Sequence, residues 1–414
     1  MSFKKETLLK GLSAAKLYIF YFLIFFLPIS KAAIEIAFAL IFLIWFIEKL
    51  FKKGKIKDIF PKTELNLPIF AILFVCFLTI FNSVEPKESL RGFFGKWFEF
   101  AMLYFFTLNI IDSEKKFKTV LWVFSGSLTL ISVDAIWQFI SGKDFFYLRS
   151  LEQGVWIRGY FTSINLFAGL LTLIAPIVLT FLITFRKKYV RLYTYFLFSI
   201  LFFCLLFSNS AETWIFISLS LIFGVFFYKN RRLFRYVILF LIVLWFIVLI
   251  SFSFRERLIS LKEKQIISSQ GKLVGRTAIW LAVLQEVKNN PVLGKGINTT
   301  RASIIKKYSK NSNFVKLLSE NHPHSLYLYI LLECGILGLS VYLWFLYRIF
   351  KIITTSFKRD ILSYGFFVSI VGFLGINLTD IMWGERLQGL FWVIIGLAVI
   401  QSKRMVRIER LFYV

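Results

Sequence analysis

Long, unbroken apolar runs are the feature that most limits how this chain can fold. A membrane-spanning helix needs roughly 20 mainly apolar residues, and the sequence holds about twelve such stretches. Soluble chains are about half apolar and space their apolar residues at helical or strand intervals, whereas this chain is 58% hydrophobic. We therefore predict an all-α polytopic membrane protein with about 12 transmembrane helices. The runs are centred in 15–31, 32–48, 66–83, 97–112, 118–140, 161–185, 190–209, 212–228, 234–253, 324–348, 361–379 and 386–401.

The distribution of Lys and Arg predicts which side of the membrane each loop faces. One set of alternate loops carries the clusters Lys52/Lys53/Lys55/Lys57, Lys115/Lys116/Lys118, Arg186/Lys187/Lys188, Arg231/Arg232/Arg235 and Lys358/Arg359. Basic loops stay in the cytoplasm, and an even number of spans puts both termini there too. No small-residue cleavage site follows the first apolar run, so we expect a retained helix. Much of the net charge of +27 is thus a topology signal, and we predict no nucleic-acid partner.

This topology divides the chain into three regions. Residues 1–253 hold spans one to nine, residues 254–323 form one large outer loop, and residues 324–414 hold spans ten to twelve and a cytoplasmic tail. The loop carries 13 Lys and Arg against four Glu. Such a surface attracts anionic substrates or lipid headgroups, although a solvated basic loop is an equal alternative on charge alone. Two amphipathic helices are predicted in it, over 275–296 and 301–318.

Both histidines of the chain lie where the loop returns to the membrane, at His322 and His324. Histidine can accept a proton near neutral pH, so this position is a candidate for acid–base chemistry. A metal pair and an incidental polar helix start are the alternatives. Two histidines flanking a proline, with no nearby Asp or Cys, make a poor metal site. The three cysteines, Cys76, Cys204 and Cys334, lie in apolar runs and are predicted to be packing residues.

Three segments of the sequence carry recognisable patterns. Residues 324–338, with His324, Tyr327, Glu333, Gly335 and Gly338, are similar to the pattern H-x-x-Y-L…E-x-G-x-x-G. Residues 275–280 resemble G-R-x-x-x-W, and residues 158–165 resemble R…G-x-F-x-x-P-N-x-x-A. Taken together, these segments resemble the O-antigen ligase and polymerase superfamily, and with the twelve spans the resemblance covers most of the chain.

The resemblance implies a membrane-embedded glycosyltransferase of GT-C-like architecture in the bacterial inner membrane. Such an enzyme transfers a glycan from undecaprenyl diphosphate to an acceptor hydroxyl, such as that of lipid A core, at the periplasmic face. The large outer loop would then be periplasmic, and membrane lipid would surround the site. No cofactor is implied.

The residues of the three motifs fit this chemistry. A lipid diphosphate leaves as a stable anion if cations bind it, and Arg158 and Arg276 are the candidate donor-binding residues because arginine offers bidentate donors to phosphate. An acceptor hydroxyl benefits from a base, for which His324 is the candidate and His322 the weaker choice. Trp280 packs the loop helix or stacks on sugar, with packing favoured. No outward acidic pair is available for a divalent cation, so we predict metal independence. Direct displacement of the lipid diphosphate would invert the anomeric carbon.

Three positions depart from the family pattern. Ile164 stands where relatives have Pro, and Arg158 directly precedes its Gly rather than lying a few residues upstream. Ala211, in Ser210-Ala211-Glu212, occupies a position where relatives often carry Arg. We therefore expect the chain as it stands to be a weak or inactive transferase.

Other functions remain open at this stage. An O-antigen polymerase or a protein O-oligosaccharyltransferase would share the donor and the displacement, and a single large outer loop favours the ligase. A proton-coupled transporter is the alternative of another class, because ionisable groups in spans are often functional. The groups concerned are Glu35, Glu99, Asp134 and Glu333. Structural pairing of these groups is the simpler interpretation, and the halves of the chain show no repeat of the kind transporters have.

Overall fold

The computed structural model describes residues 2–51, 60–228, 231–250, 276–300, 305–306, 315, 323–356 and 360–412. In these ranges the regular structure is helical, with two isolated β-bridges in the hairpin of residues 142–163. This hairpin lies on the side of the bundle that the sequence predicts to face outward, which is called the outer side below. The helices are α1 (Ser2–Phe26), α2 (Lys31–Phe51), α3 (Asn66–Phe81), α4 (Pro86–Gly92), a π-helix (Phe93–Phe98), α5 (Glu99–Ile110), α6 (Glu114–Ser141), α7 (Ile164–Ile183), α8 (Lys188–Phe207), α9 (Ala211–Tyr228), α10 (Arg231–Ile250), α11 (Arg276–Val287), α12 (Leu326–Ser356), α13 (Ile361–Thr379) and α14 (Glu385–Phe412).

Seven of the described helices are long and apolar enough to cross a membrane: α1, α6, α7, α8, α10, α12 and α13. Helix α3 and most of α9 are shorter apolar helices, and α2, α5 and α14 cover the remaining predicted spans. The prediction of a helical, multi-pass membrane protein is therefore confirmed. The count of twelve spans stays a prediction, as does the large loop, since residues 251–275 and most of 301–322 lie outside the described residues.

Helix α13 lies at the centre of the bundle, packed against α7 and α9. Its glycines let the neighbouring helices approach closely, as small residues do between membrane helices. A Cβ on Gly372 would lie 2.9 Å from the Thr172 side chain of α7, and one on Gly375 would lie 2.5 Å from Phe216 of α9. The Ser369 hydroxyl also donates to the Leu173 carbonyl of α7. This close packing fixes where the outer ends of the three helices meet.

The carboxylates predicted in the spans have structural partners. Glu35 lies 3.7 Å from the Lys31 ammonium, and Asp134 accepts a hydrogen bond of 2.7 Å from the Phe145 amide. Buried Glu333 accepts hydrogen bonds from the Asn298 amide and the Thr300 hydroxyl, both at 2.8 Å. These contacts fit structural pairing of the carboxylates better than a role in proton transport, because the bonds hold loops or neighbouring turns in place.

Helix α12, which covers most of the apolar run of residues 324–348, is broken at Gly335. Gly335 has φ 65° and ψ −167°. Tyr327 and Tyr342 would lie about 22 Å apart along a straight helix of 1.5 Å rise, yet their ring centroids are 6.2 Å apart. The chain therefore bends sharply at Gly335, and His324 lies near the outer end of α13 instead of directly above the second part of α12.

Residues 291–296 supply the hydrogen bonds that the broken helix loses. The Ile336 and Leu337 amides donate to the Pro291 and Val292 carbonyls, at 2.9 and 3.3 Å. In the other direction, the Lys295 and Gly296 amides donate to the Leu332 and Glu333 carbonyls, both at 3.0 Å. Backbone groups left unpaired in an apolar interior are costly, so this exchange is what makes the bend possible.

Candidate functional site

His324 and Asp380 face each other where four elements meet at the outer side of the bundle. The His324 Nδ1 atom lies 3.5 Å from Asp380 Oδ1, with side chains 29% and 18% exposed. His324 precedes α12 and has φ 48°, a left-handed conformation that is uncommon outside glycine. Asp380 follows directly after α13. The imidazole is thus half-buried beside a carboxylate and still open to solvent.

A hydrogen-bonded chain holds Asp380 in place. The Asn165 amide group, at the start of α7, donates to Asp380 Oδ2 at 2.8 Å, and the Ile381 amide donates to Oδ1 at 2.8 Å. The Ser210 hydroxyl, just before α9, donates to Asn165 Oδ1 at 2.9 Å. The motif residue Asn165 therefore acts on His324 through Asp380.

The surroundings keep the Asp380 carboxyl ionised. Burial by itself raises the pKa of this group, but the nearby His324 imidazole and hydrogen bonds from the Ile381 amide and Asn165 outweigh that effect and hold the pKa below its usual value. A carboxylate that stays charged beside Nδ1 favours the histidine tautomer with its proton on that nitrogen. Nε2 is then the nitrogen available to accept a proton.

Arg158 lies on the hairpin of residues 142–163, whose shape is set by Gln138 of α6. Gln138 Oε1 accepts hydrogen bonds from the backbone amides of Arg158 and Gly159, at 3.0 and 2.8 Å. The guanidinium itself donates to two backbone carbonyls, those of Ser150 at 2.9 Å and Thr162 at 3.3 Å. No carboxylate among the described residues pairs with it. Its charge is therefore available to an anionic ligand.

Arg276 is placed differently, because Nη2 lies 2.8 Å from Glu212 Oε1. This ion pair is partly exposed and joins the start of α11 to the first turn of α9. Glu212 directly follows Ala211, the position where relatives often carry Arg. Arg276 therefore brings a guanidinium to the region in which Ala211 lacks one, although Glu212 partly neutralises it.

The Trp280 ring packs against apolar side chains of the protein. Its ring lies against the small cluster of Ile279, Ala282, Val283, Ile305 and Leu332, and its Nε1 donates to the Pro323 carbonyl at 3.0 Å. That bond fixes the residue before His324. The packing interpretation thus fits the structure, and the same contact gives Trp280 a positioning role. His322 lies outside the described residues.

Two residues of this region were missed by sequence reasoning. Asp380 is an acidic residue at the outer end of a span, a signal that was available from the sequence. Arg386, at the start of α14, has no motif around it. Among the described residues, no group of three or more His, Cys, Asp or Glu is placed to hold a metal ion.

Comparisons with known proteins agree with the sequence motifs. The family described as O-antigen ligase matches residues 196–343. Over that segment the chain is similar to the O-antigen ligases. A protein of Rickettsia typhi named "putative polysaccharide ligase" is 24% identical over 379 residues, 84% of each chain. Proteins of the same name from Rickettsia bellii and Rickettsia felis are 23% identical over 337 residues and 30% identical over 149 residues. These alignments cover 77% and 33% of this chain, and 76% and 34% of the relatives.

The segment that matches the O-antigen ligase family contains only part of the site. It includes Ala211, Arg276 and His324, whereas Arg158 and Asp380 lie on either side of it. The fold joins both flanks to the matched segment through the contact of Asn165 with Ser210 and that of Asp380 with His324. A polysaccharide ligase-like activity is thus what the family relationship supports.

Proposed function

We propose that this O-antigen ligase-like protein transfers a glycan from undecaprenyl diphosphate to an acceptor hydroxyl, such as that of lipid A core. The reaction takes place at the periplasmic face of the bacterial inner membrane. The observation that carries the proposal is the partly buried pair of His324 and Asp380, whose partner Asn165 follows shortly after the hairpin that carries Arg158.

The proposed reaction is a direct displacement with His324 as base. The acceptor oxygen attacks the anomeric carbon of the donor sugar, and the bond from that carbon to the phosphate oxygen breaks. His324 Nε2 accepts the hydroxyl proton, while Asp380 holds Nδ1 and stabilises the imidazolium that forms. A base placed in this way contributes about 10²–10⁴-fold to the rate. One displacement inverts the anomeric carbon.

The leaving group is a lipid diphosphate, which needs cations more than it needs a proton. Arg158 offers a planar, permanently charged group for this purpose, and Arg276 offers a second one that Glu212 partly neutralises. We propose that these arginines take the place of a divalent metal ion in stabilising the diphosphate.

Reconstitution with defined substrates tests the proposal. Purified protein in nanodiscs is incubated with lipid-linked glycan and with separate acceptors: lipid A core, a second lipid-linked glycan or a protein. The products are identified by mass spectrometry. We expect a glycan on lipid A core, formed with EDTA present and absent from a His324→Ala sample.

The outcomes separate the parts of the proposal. Transfer to the second lipid-linked glycan or to protein alone would identify a polymerase or a protein oligosaccharyltransferase and would refute the acceptor. Transfer by His324→Ala above about a tenth of the wild-type rate would refute the base role. Loss of activity in EDTA with recovery in Mg²⁺ would refute metal independence.

A further inference from the structure

Arg386, at the start of α14, is held over three aromatic rings of the outer hairpin. Its guanidinium carbon lies 5.7 Å from the ring centroid of Tyr147, 5.5 Å from that of Tyr160 and 6.0 Å from that of Phe161. Its one hydrogen bond within the described residues is a long contact of 3.5 Å with the Tyr147 hydroxyl. Aromatic faces attract a cation without neutralising it. The guanidinium is therefore fixed in position with most of its N–H donors unused.

Carboxylates of the hairpin are bound to its own backbone. Asp144 accepts hydrogen bonds from the amides of Phe146, Tyr147 and Arg149 at 2.5 to 2.9 Å, and Glu152 accepts one from Ile164 at 2.9 Å. Arg158 and Arg386 have no ion pair with a carboxylate among the described residues. Both guanidiniums are partly exposed. The hairpin and the start of α14 thus present two cations that have no carboxylate partner in the described part of the chain.

These two cations share one short segment. Arg158 donates to the Thr162 carbonyl at 3.3 Å, and Arg386 lies over the rings of Tyr160 and Phe161. Asn165, three residues after Thr162, donates a hydrogen bond to Asp380, which faces His324. Arg386 is itself six residues after Asp380 in the chain. The same loops therefore position both guanidiniums and the candidate base.

We infer that Arg386 is a phosphate-binding residue that acts together with Arg158 on the diphosphate of the lipid-linked donor. This inference rests on the proposed function and extends it, because Arg386 belongs to none of the family motifs in the sequence. Two guanidiniums can each make charge-assisted, bidentate hydrogen bonds to neighbouring phosphates. Arg276 then has a secondary role, since Glu212 already holds it.

Binding of a lipid diphosphate without a glycan tests this role apart from catalysis. The probe is polyprenyl diphosphate, added to full-length protein in phosphatidylcholine nanodiscs, and its Kd is measured for wild type, Arg386→Gln and Arg386→Lys. We expect Kd to rise about tenfold in Arg386→Gln, as fits the loss of a charged hydrogen bond. Arg386→Lys should recover only part of the affinity, because an ammonium keeps the charge and the ring contacts without the planar fork.

Arg149 provides the matched control. Its guanidinium carbon also lies over the Tyr147 ring, at 5.5 Å, but it makes no described contact with residues 159–162. Arg149→Gln should therefore change Kd by less than about twofold. Thermal unfolding of each variant shows whether the hairpin remains folded, and Arg386→Lys keeps the test valid if Arg386→Gln unfolds.

Each result has a defined meaning. Equal Kd values for wild type and Arg386→Gln, or full recovery with Lys, would overturn the inference and leave Arg386 as a structural cation–π residue. An effect of Arg386→Gln only when phosphatidylglycerol replaces phosphatidylcholine would overturn it too, because the ligand would then be a phospholipid headgroup. If wild type transfers glycan while Arg386→Gln binds normally, only this inference fails; if wild type neither binds polyprenyl diphosphate nor transfers, the proposed function fails as well.

Discussion

At the scale of single residues, the contact between His324 and Asp380 has the most direct chemical consequence. A histidine that acts as a base needs a defined tautomer and a fixed ring, and a carboxylate on the other nitrogen provides both. Asp380 in turn is fixed by Asn165 and by the Ile381 amide. The pair should therefore behave as a unit in kinetic experiments.

Asp380→Asn should lower kcat by at least about tenfold, because an amide can present the wrong group to Nδ1 and cannot stabilise an imidazolium. The measurement is the transfer rate at saturating donor and acceptor, with His324→Gln and the double variant measured in parallel. If the residues act together, the double variant is no slower than His324→Gln alone. Independent, multiplicative losses would contradict the pairing.

The same carboxyl should make stability depend on pH. Its pKa is held below the usual value, so Asp380 stabilises the folded state at pH values above the unfolded-state pKa of about 3.9. That contribution is lost as the pH falls through the lower, folded-state pKa. The difference in Tm between wild type and Asp380→Asn in detergent should be constant above about pH 5 and shrink below about pH 4. A difference that grows on acidification would show the opposite shift.

Ala211→Arg should raise turnover or donor affinity about tenfold, since a charged hydrogen bond to a diphosphate is worth roughly 1.5–3 kcal/mol. Glu212 is already paired with Arg276 at 2.8 Å. The neighbouring carboxylate therefore competes less for a new Arg at position 211. Initial rates over a range of donor concentrations compare Ala211→Arg with Ala211→Gln, which adds length without charge. Equal rates for these two and wild type would show that Arg158 and the existing cations suffice.

At the scale of elements, the bend of α12 determines where the site lies. The segment before Gly335 carries His324 at its outer start, and residues 291–296 bind the exposed backbone of the bend. Glu333 strengthens the contact by accepting hydrogen bonds from Asn298 and Thr300. Glu333 and Gly335 of this motif thus serve the backbone of the bend, while His324 is the proposed base.

Gly335→Ala should destabilise the protein by about 2 kcal/mol or more and reduce transfer with it. The new Cβ would lie 2.2 Å from the Val292 carbonyl oxygen, and the conformation at φ 65°, ψ −167° is nearly restricted to glycine, costing other residues about 1–3 kcal/mol. Gly154→Ala is the control, because Gly154 also has positive φ, at 75°, but no heavy atom lies within 4 Å of its Cβ position. Equal losses of Tm would mean that backbone conformation alone matters and that the contact with Val292 does not.

At the scale of the whole molecule, the predicted orientation can be tested with cysteine labelling. The three native cysteines are buried, so they should react little with a membrane-impermeant maleimide. Lys143→Cys, in the outer hairpin, should label in intact spheroplasts, whereas Lys187→Cys, between α7 and α8, should label only after permeabilisation. The reverse pattern would invert the topology and place His324 and Arg158 on the cytoplasmic side.

The described helices follow from local sequence. Runs such as 361–379 became α13 with those bounds, because every backbone group in a lipid-embedded segment must be paired internally and a helix does this without partners. The amphipathic helix predicted over 275–296 forms over Arg276–Val287, and its Leu284 is 44% exposed. Apolar length and periodicity are enough for such elements.

The sequence by itself determined the membrane class and helical content, the family and the candidacy of His324, because each depends on residues close together in the chain. Only the tertiary structure decided that Asp380 faces His324, that Arg276 pairs with Glu212 and that Gly335 breaks α12. These features join residues up to 64 positions apart, or depend on a distant loop such as 291–296 to bind the exposed backbone. The packing of α13 against α7 and α9 brings those residues together, and no local pattern of charge or hydropathy encodes that contact.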